Sequence, residues 1–202
     1  MINKKISIIA ILLAFSITFI STPVMAANVV SWASKTPMSV ERCAPGGVEL
    51  NGYIYVMGGS MPGNVTINSM EAYNPVTNTW MNLPSMPTAR YHLGAAALNG
   101  KIYAIGGNPS AVTNGNPLST VEIYDASTNM WTTGPSMPTA RMGLGVVALN
   151  GKIYAVGGAD LGTNTFYNKL EIYDPGTNTW TTGPNMPTAK NYVSVVEINN
   201  KI

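Results

Sequence analysis

Pro84-Ser85-Met86-Pro87-Thr88-Ala89-Arg90 returns letter for letter as Pro135-Ser136-Met137-Pro138-Thr139-Ala140-Arg141. It comes back a third time, lightly edited, as Pro184-Asn185-Met186-Pro187-Thr188-Ala189-Lys190. The phrases start 51 and 49 residues apart, and a near-constant period of that size marks a chain assembled from stacked supersecondary units. Further features fall into register with the phrase. Aligned on the phrase, four units carry Asn51-Gly52, Asn99-Gly100, Asn150-Gly151 or Asn199-Asn200 after an apolar run. Both residues of an Asn-Gly pair accept positive φ, so such a pair between apolar runs reads as a two-residue β-hairpin. The second strand of each hairpin runs into a glycine pair, Gly58-Gly59, Gly106-Gly107 or Gly157-Gly158, where a Cβ would block a turn or a close approach. A third strand follows as Met70-Glu71-Ala72-Tyr73, Val121-Glu122-Ile123-Tyr124 and Leu170-Glu171-Ile172-Tyr173. Its polar and apolar residues alternate as in a half-buried strand. After a polar turn, a fourth strand carries Trp80, Trp131 or Trp180, always seven residues beyond the tyrosine.

Four short antiparallel strands per unit, with one glycine pair, one tyrosine and one tryptophan, make the pattern of a propeller blade. The Gly-Gly doublet followed by spaced Tyr and Trp resembles the kelch family, and the match runs from about Trp32 to Ile202. The resemblance implies an all-β, kelch-type β-propeller. Three complete four-stranded blades are expected at about 39–82, 88–133 and 139–182, with a broken blade at 188–202 and an opening fourth strand near 28–35. These amount to part of a larger ring over residues 27–202. A lone sheet cannot cover both of its faces, so blades must stack. A buried tryptophan between them predicts a loss of about 3–5 kcal/mol for Trp131→Ala.

Lys4 and Lys5 precede the apolar run 6–20, which ends in Ser-Thr-Pro-Val-Met-Ala-Ala. The run covers fifteen positions, short of the roughly 20 that a spanning helix needs, and Val24-Met25-Ala26 suits a signal peptidase. Residues 1–26 therefore read as a signal peptide, and the mature chain as secreted, extracellular or periplasmic, without membrane insertion. Of the eleven basic residues two belong to this leader, leaving nine against nine acidic ones. A neutral chain offers no electrostatic footprint for nucleic acid. Cys43 is the single cysteine, so no intramolecular disulfide is available, and it reads as a small buried thiol.

Strands that alternate in direction bring the fourth-to-first links and the second-to-third links to one face of the ring. The second-to-third links, 60–66, 108–116 and 159–167, differ in length and wording, and variable loops on a rigid scaffold are where binding concentrates. The links deliver Arg90, Arg141, Lys190 and, by offset, Arg42 to this face, with His92 nearby. One expectation is a cationic ring at the channel mouth holding a carboxylate or an acidic loop. The other is structural, with each guanidinium bonding carbonyls of the neighbouring blade. The resemblance implies a binding site at this mouth, for a protein or a glycan.

Other chemistry is weakly signalled. Gly143-x-Gly145-x-x-Ala148 leads into a hairpin rather than a helix, against dinucleotide binding. Asp160 to Glu171 has calcium-loop spacing but Thr165 where glycine is needed. His92, the sole histidine, excludes a metal site with two histidines. No metal or other cofactor is expected, except that Cys43 and Tyr91 stand where galactose-oxidase-like kelch enzymes cross-link Cys to Tyr beside copper. The expected function is a secreted binding module. The alternatives are a sialic-acid mutarotase or epimerase, a copper oxidase of that kind, or a structural spacer.

Overall fold

The structure, a computed structural model, describes residues 33–112 and 116–202; the leader expected at 1–26 and the strand expected around Trp32 lie outside the described residues. Gly46–Leu50 (β1) and Tyr53–Met57 (β2) pair antiparallel across Asn51 and Gly52. Those two residues take φ angles of 53° and 82°, the double left-handed turn that fits the twist of a hairpin. A two-residue ladder follows, Ser60–Met61 (β3) against Val65–Thr66 (β4). The chain then adds Met70–Asn74 (β5) and Thr79–Leu83 (β6), completing the sheet β1-β2-β5-β6. The second sheet holds Gly94–Leu98 (β7), Lys101–Ile105 (β8), Val121–Asp125 (β9) and Met130–Thr133 (β10) in the same order. The third holds Gly145–Leu149 (β11), Lys152–Val156 (β12), Leu170–Asp174 (β15) and Thr179–Thr182 (β16). A second small ladder, Ala159–Asp160 (β13) with Thr165–Phe166 (β14), lies between its second and third strands. All sixteen strands belong to the compact unit Lys35–Ile202. No helix among the described residues is long and apolar enough to cross a membrane.

The chain is thus all-β, with three four-stranded sheets where three complete blades are expected. Each sheet starts later than the expected boundary because the repeated phrase folds as an irregular link. In the last repeat the described ladder is reduced to a bridge between Ile198 and Lys201, across Asn199 and Asn200 with φ of 52° and 60°.

Alternation along the second strands sends every other residue to opposite neighbours. Tyr55 and Met57 of β2, with Met70, Met86 and Leu93, bury against Ile102, Ala104 and Tyr124 of the second sheet. Tyr103 and Ile105 of β8, with Val121, Met137 and Leu144, bury in the same way against Ile153, Ala155 and Tyr173. The tryptophans differ from expectation. Trp80, Trp131 and Trp180 are half-buried on the outermost strands, stacked on Tyr73, Tyr124 and Tyr173 at 5.0, 5.4 and 5.3 Å. Their indole N–H groups donate to the carbonyls of Thr36, Pro84 and Pro135 at 2.8, 2.8 and 2.9 Å. Two of these bonds tie a link leaving one sheet to the outer strand of the next. The tryptophans are edge staples rather than buried wedges, which lowers the expected cost of truncating one.

The innermost strands start with glycine for a reason of space. A Cβ on Gly94 would sit 2.2 Å from Val146 Cγ2 of the next sheet, and one on Gly145 2.2 Å from Val195 Cγ2. Overpacking of this kind costs about 1–3 kcal/mol, so Gly94→Ala should lower the urea midpoint accordingly. Gly47→Ala, where a Cβ meets only the Tyr55 carbonyl at 4.0 Å, should leave the midpoint level or raise it through reduced chain entropy.

Candidate functional site: the loop face and the channel mouth

The repeated phrase proves to be a connector that serves two sheets at once. Its main chain belongs to the sheet just left: Met86 N–H donates to Asn68 O, Arg90 N–H to Ile67 O and Gly59 N–H to Arg90 O. The Arg90 side chain enters the sheet that follows. There Nη1 donates to Gly106 O and Thr120 O at 3.3 and 3.1 Å, and Nη2 to Ala104 O at 3.1 Å and Glu122 Oε2 at 2.8 Å. Arg141 treats Ala155 O, Lys169 O and Glu171 alike, and Arg42 does so with Gly58 O, Ser69 O and Glu71. The other carboxylate oxygen of each glutamate accepts from a hydroxyl of the phrase, Thr88 or Thr139 at 2.6 Å, or from Ser39 in the first sheet.

This corrects the cationic ring. The guanidinium groups of Arg42, Arg90 and Arg141 have no exposed surface and are committed to glutamates, so they hold nothing at the mouth. The structural reading is also adjusted, since the carbonyls bonded belong to the sheet each arginine leads into. Glu71, Glu122 and Glu171, the polar members of the alternating third strands, are buried. The signal that could have placed them was their recurrence in every copy alongside an arginine. Burial pulls the Arg90 and Arg141 guanidinium groups down from their usual basicity, while Glu122 and Glu171 act in the opposite direction. The Nε–H of each of the three arginines stays buried without a partner.

Burial alone would push the Glu71 carboxyl up, but hydrogen bonds from Ser39 and Arg42 outweigh it and hold the group below its ordinary value of 4.5. A carboxyl depressed on folding contributes stability that is present above the unfolded value and lost as pH falls through the folded one. Chemical melts from pH 7 to pH 3 should therefore weaken below about pH 4.5, and Glu71→Gln should flatten that slope.

The residues following each arginine line the mouth. Ala44, His92, Gly143 and Tyr192 are equivalent in the four repeats and all adopt left-handed φ, from 49° to 62°. Their main chains link from one repeat to the next: His92 N–H donates to Ala44 O, Gly143 N–H to His92 O and Val193 N–H to Gly143 O. The rings of His92 and Tyr192 lie 4.8 Å apart, and His92 also lies 4.6 Å from Tyr91. Burial pulls the His92 imidazole down, favouring its neutral form. Burial first, and then Tyr192 and Cys43, push the Tyr91 phenol up. Cys43 is exposed rather than buried, with its Sγ 3.2 Å from Ser60 Oγ. Lys190 is also exposed, the one member of the expected cationic set that reaches solvent.

Around this mouth the variable links present apolar tips. Met61 and Val65 project from the first, Val112 from the second and Phe166 from the third; these and Tyr192 are exposed. The first two links are coupled, Ala111 N–H donating to Thr66 Oγ1 at 3.0 Å. A depression of about 420 Å³ runs beside Glu41, Cys43, Ser60, Met61 and Asn64. Among the described residues no three of His, Cys, Asp and Glu come together as metal ligands. The rim offers aromatic and apolar surface with few charges, which suits binding.

Over residues 17–202 the chain matches a family model, the KLHDC2/KLHL20/DRC7 Kelch-repeats domain. It is 32% identical to Kelch-like protein 40 of Xenopus tropicalis over 127 residues, 63% of this chain and 20% of that protein. It is 36% identical to Kelch-like protein 41a of Danio rerio over 117 residues, 58% of this chain and 19% of that protein. To Kelch-like ECH-associated protein 1A of Danio rerio it is 40% identical over 111 residues, 55% of this chain and 18% of that protein. The chain spans about a fifth of the length of these relatives.

Proposed function

Since this chain belongs to the kelch-repeat family, we propose that it is a protein-interaction module that takes its partner on the loop face. The observation carrying this is the division of labour between the two parts of each repeat. Arginine, glutamate and glycine are spent on the scaffold, while the variable links carry exposed Met61, Val65, Val112 and Phe166. Exposed apolar residues grouped at one rim favour association with another molecule. One relative, Kelch-like ECH-associated protein 1A, is described by its name as associating, in keeping with this role.

With the arginines enclosed, the partner segment is apolar or aromatic rather than acidic. A peptide library displayed against the full chain should enrich apolar and aromatic segments. Phe166→Ser combined with Met61→Ser should weaken the selected binders at least about tenfold, equivalent to some 1.4 kcal/mol, with the melting midpoint unchanged. Lys101→Glu, on the opposite Asn-Gly rim, should leave binding intact. Enrichment of acidic peptides, or binding untouched by the loop changes, would refute the assignment. A glycan in the same place is the second ligand class, separated from the first by running a glycan array beside the library. The leader further proposes export, which a mature N-terminus at Ala27 would support.

A further inference from the structure

We propose that Asn99 and Asn150 are sites of self-modification, each converting to aspartate and isoaspartate through attack by the glycine amide that follows it, and that Glu49 guards Asn51 against the same reaction. The three hairpin turns are alike in sequence and surroundings. Leucine precedes each asparagine and glycine follows it, so no side chain hinders the amide nitrogen of Gly52, Gly100 or Gly151. All six turn residues are exposed, and a Cβ on any of the three glycines would meet nothing within 4 Å. Attack requires the turn to leave its left-handed geometry for a moment, which an exposed tip does at small cost.

The turns differ in what holds the glycine nitrogen. Gly52 N–H donates to Glu49 Oε1 at 2.7 Å. The contact belongs to the repeat position, since Glu197 accepts from Asn200 N–H in the same way at 2.8 Å. In the two middle copies that position is Ala97 or Ala148, and among the described residues neither Gly100 N–H nor Gly151 N–H donates to an acceptor. A carboxylate bonded to an amide N–H favours the protonated amide, and only the deprotonated nitrogen is nucleophilic. Once its proton has passed to solvent, the glycine nitrogen bonds to the asparagine Cγ; the side-chain nitrogen takes up a proton and leaves as ammonia. Water then opens the cyclic imide at one carbonyl to give aspartate, or at the other to give isoaspartate, whose main chain runs through Cβ. The asparagines of the third-to-fourth turns are barred from this route. Asn78, Asn129 and Asn178 also have left-handed φ, but each Oδ1 accepts a tyrosine hydroxyl, and Thr79, Met130 or Thr179 follows in place of glycine.

The full chain, aged while folded in mildly alkaline buffer and then cut with trypsin, gives a separate peptide for each turn and for Asn114-Gly115, which includes positions outside the described residues. Mass spectrometry should find aspartate and isoaspartate accumulating at Asn99 and Asn150 at least about threefold faster than at Asn51, the factor that one exposed hydrogen bond supplies. Glu49→Ala should bring Asn51 up to their rate. In urea, where the fold and the Glu49 contact are lost, the three turns of the parent chain should convert alike. Asn51 converting as fast as Asn99 in the folded chain would overturn the inference, as would Asn99 and Asn150 staying intact until the chain unfolds. So would Glu49→Ala slowing Asn51, since the carboxylate would then be acting as a base, or the same threefold order persisting in urea.

Discussion

Replacing Arg90 by alanine is expected to destabilise the chain by about 3–5 kcal/mol, the cost of stranding one partner of a buried ion pair. Glu122 would keep only the Thr88 hydroxyl, and the carbonyls of Ala104, Gly106 and Thr120 would each lose the guanidinium donor, Thr120 O keeping Gly106 N–H. Urea melts at pH 7 would read the loss directly. Arg90→Lys should recover only part of it, because a point ammonium cannot span carbonyls and carboxylate as the planar fork does. Removing both charges with Arg90→Met and Glu122→Leu should be milder than Arg90→Ala alone, since a buried pair replaced by apolar groups is often near neutral. If Arg90→Ala melts like the parent, the buried triad is not what holds the link between sheets. The lysine-aspartate pairs on the Asn-Gly rim, Lys101 with Asp125 and Lys152 with Asp174, are largely exposed, and their removal should be felt little.

The second large effect separates two residues that the sequence treats alike. Ile102 and Ile54 both stand two places after an Asn-Gly turn, yet Ile102 is fully buried between sheets while Ile54 is 44% exposed. Ile102→Ala should cost about 2–5 kcal/mol through lost transfer energy and the cavity left behind. Ile54→Ala should cost roughly half of that, by the proportion of surface it buries. Equal losses in paired urea melts would mean that the first sheet is covered as fully as the second.

Much of the fold was legible because it rests on local conformation. Asn51-Gly52 specifies its turn through left-handed φ that few residues accept, and a fixed period requires one unit to stack on the next. The conserved offset from tyrosine to tryptophan likewise reflects a local turn. Tyr73, Tyr124 and Tyr173 donate to Asn78, Asn129 and Asn178 five residues on, and each of these asparagines has a φ of 57–58°. The candidate site was legible only in outline. The face carrying the variable links follows from strand alternation, whereas the state of each side chain there does not. Arg42, Arg90 and Arg141 could be read as lining the mouth or as bonding the scaffold, Cys43 looked buried, and the third-strand glutamates looked only like the polar members of a half-buried strand. The opposite environments arise because a glutamate some thirty residues away is folded back beneath each arginine, and no short-range pattern encodes that approach.

By itself, then, the sequence determined the strands, their hairpins, the repeat and the side on which it varies, since all of these depend on φ preferences and on periodicity within a few residues. Tertiary structure alone decided which repeated residues are used up in holding sheets together and which remain for a partner. Arg141 and Lys190 end the same phrase, but only Arg141 has a sheet folded around it and a carboxylate within reach. Burial and pairing are properties of what packs against a side chain, and that is settled only when distant strands meet.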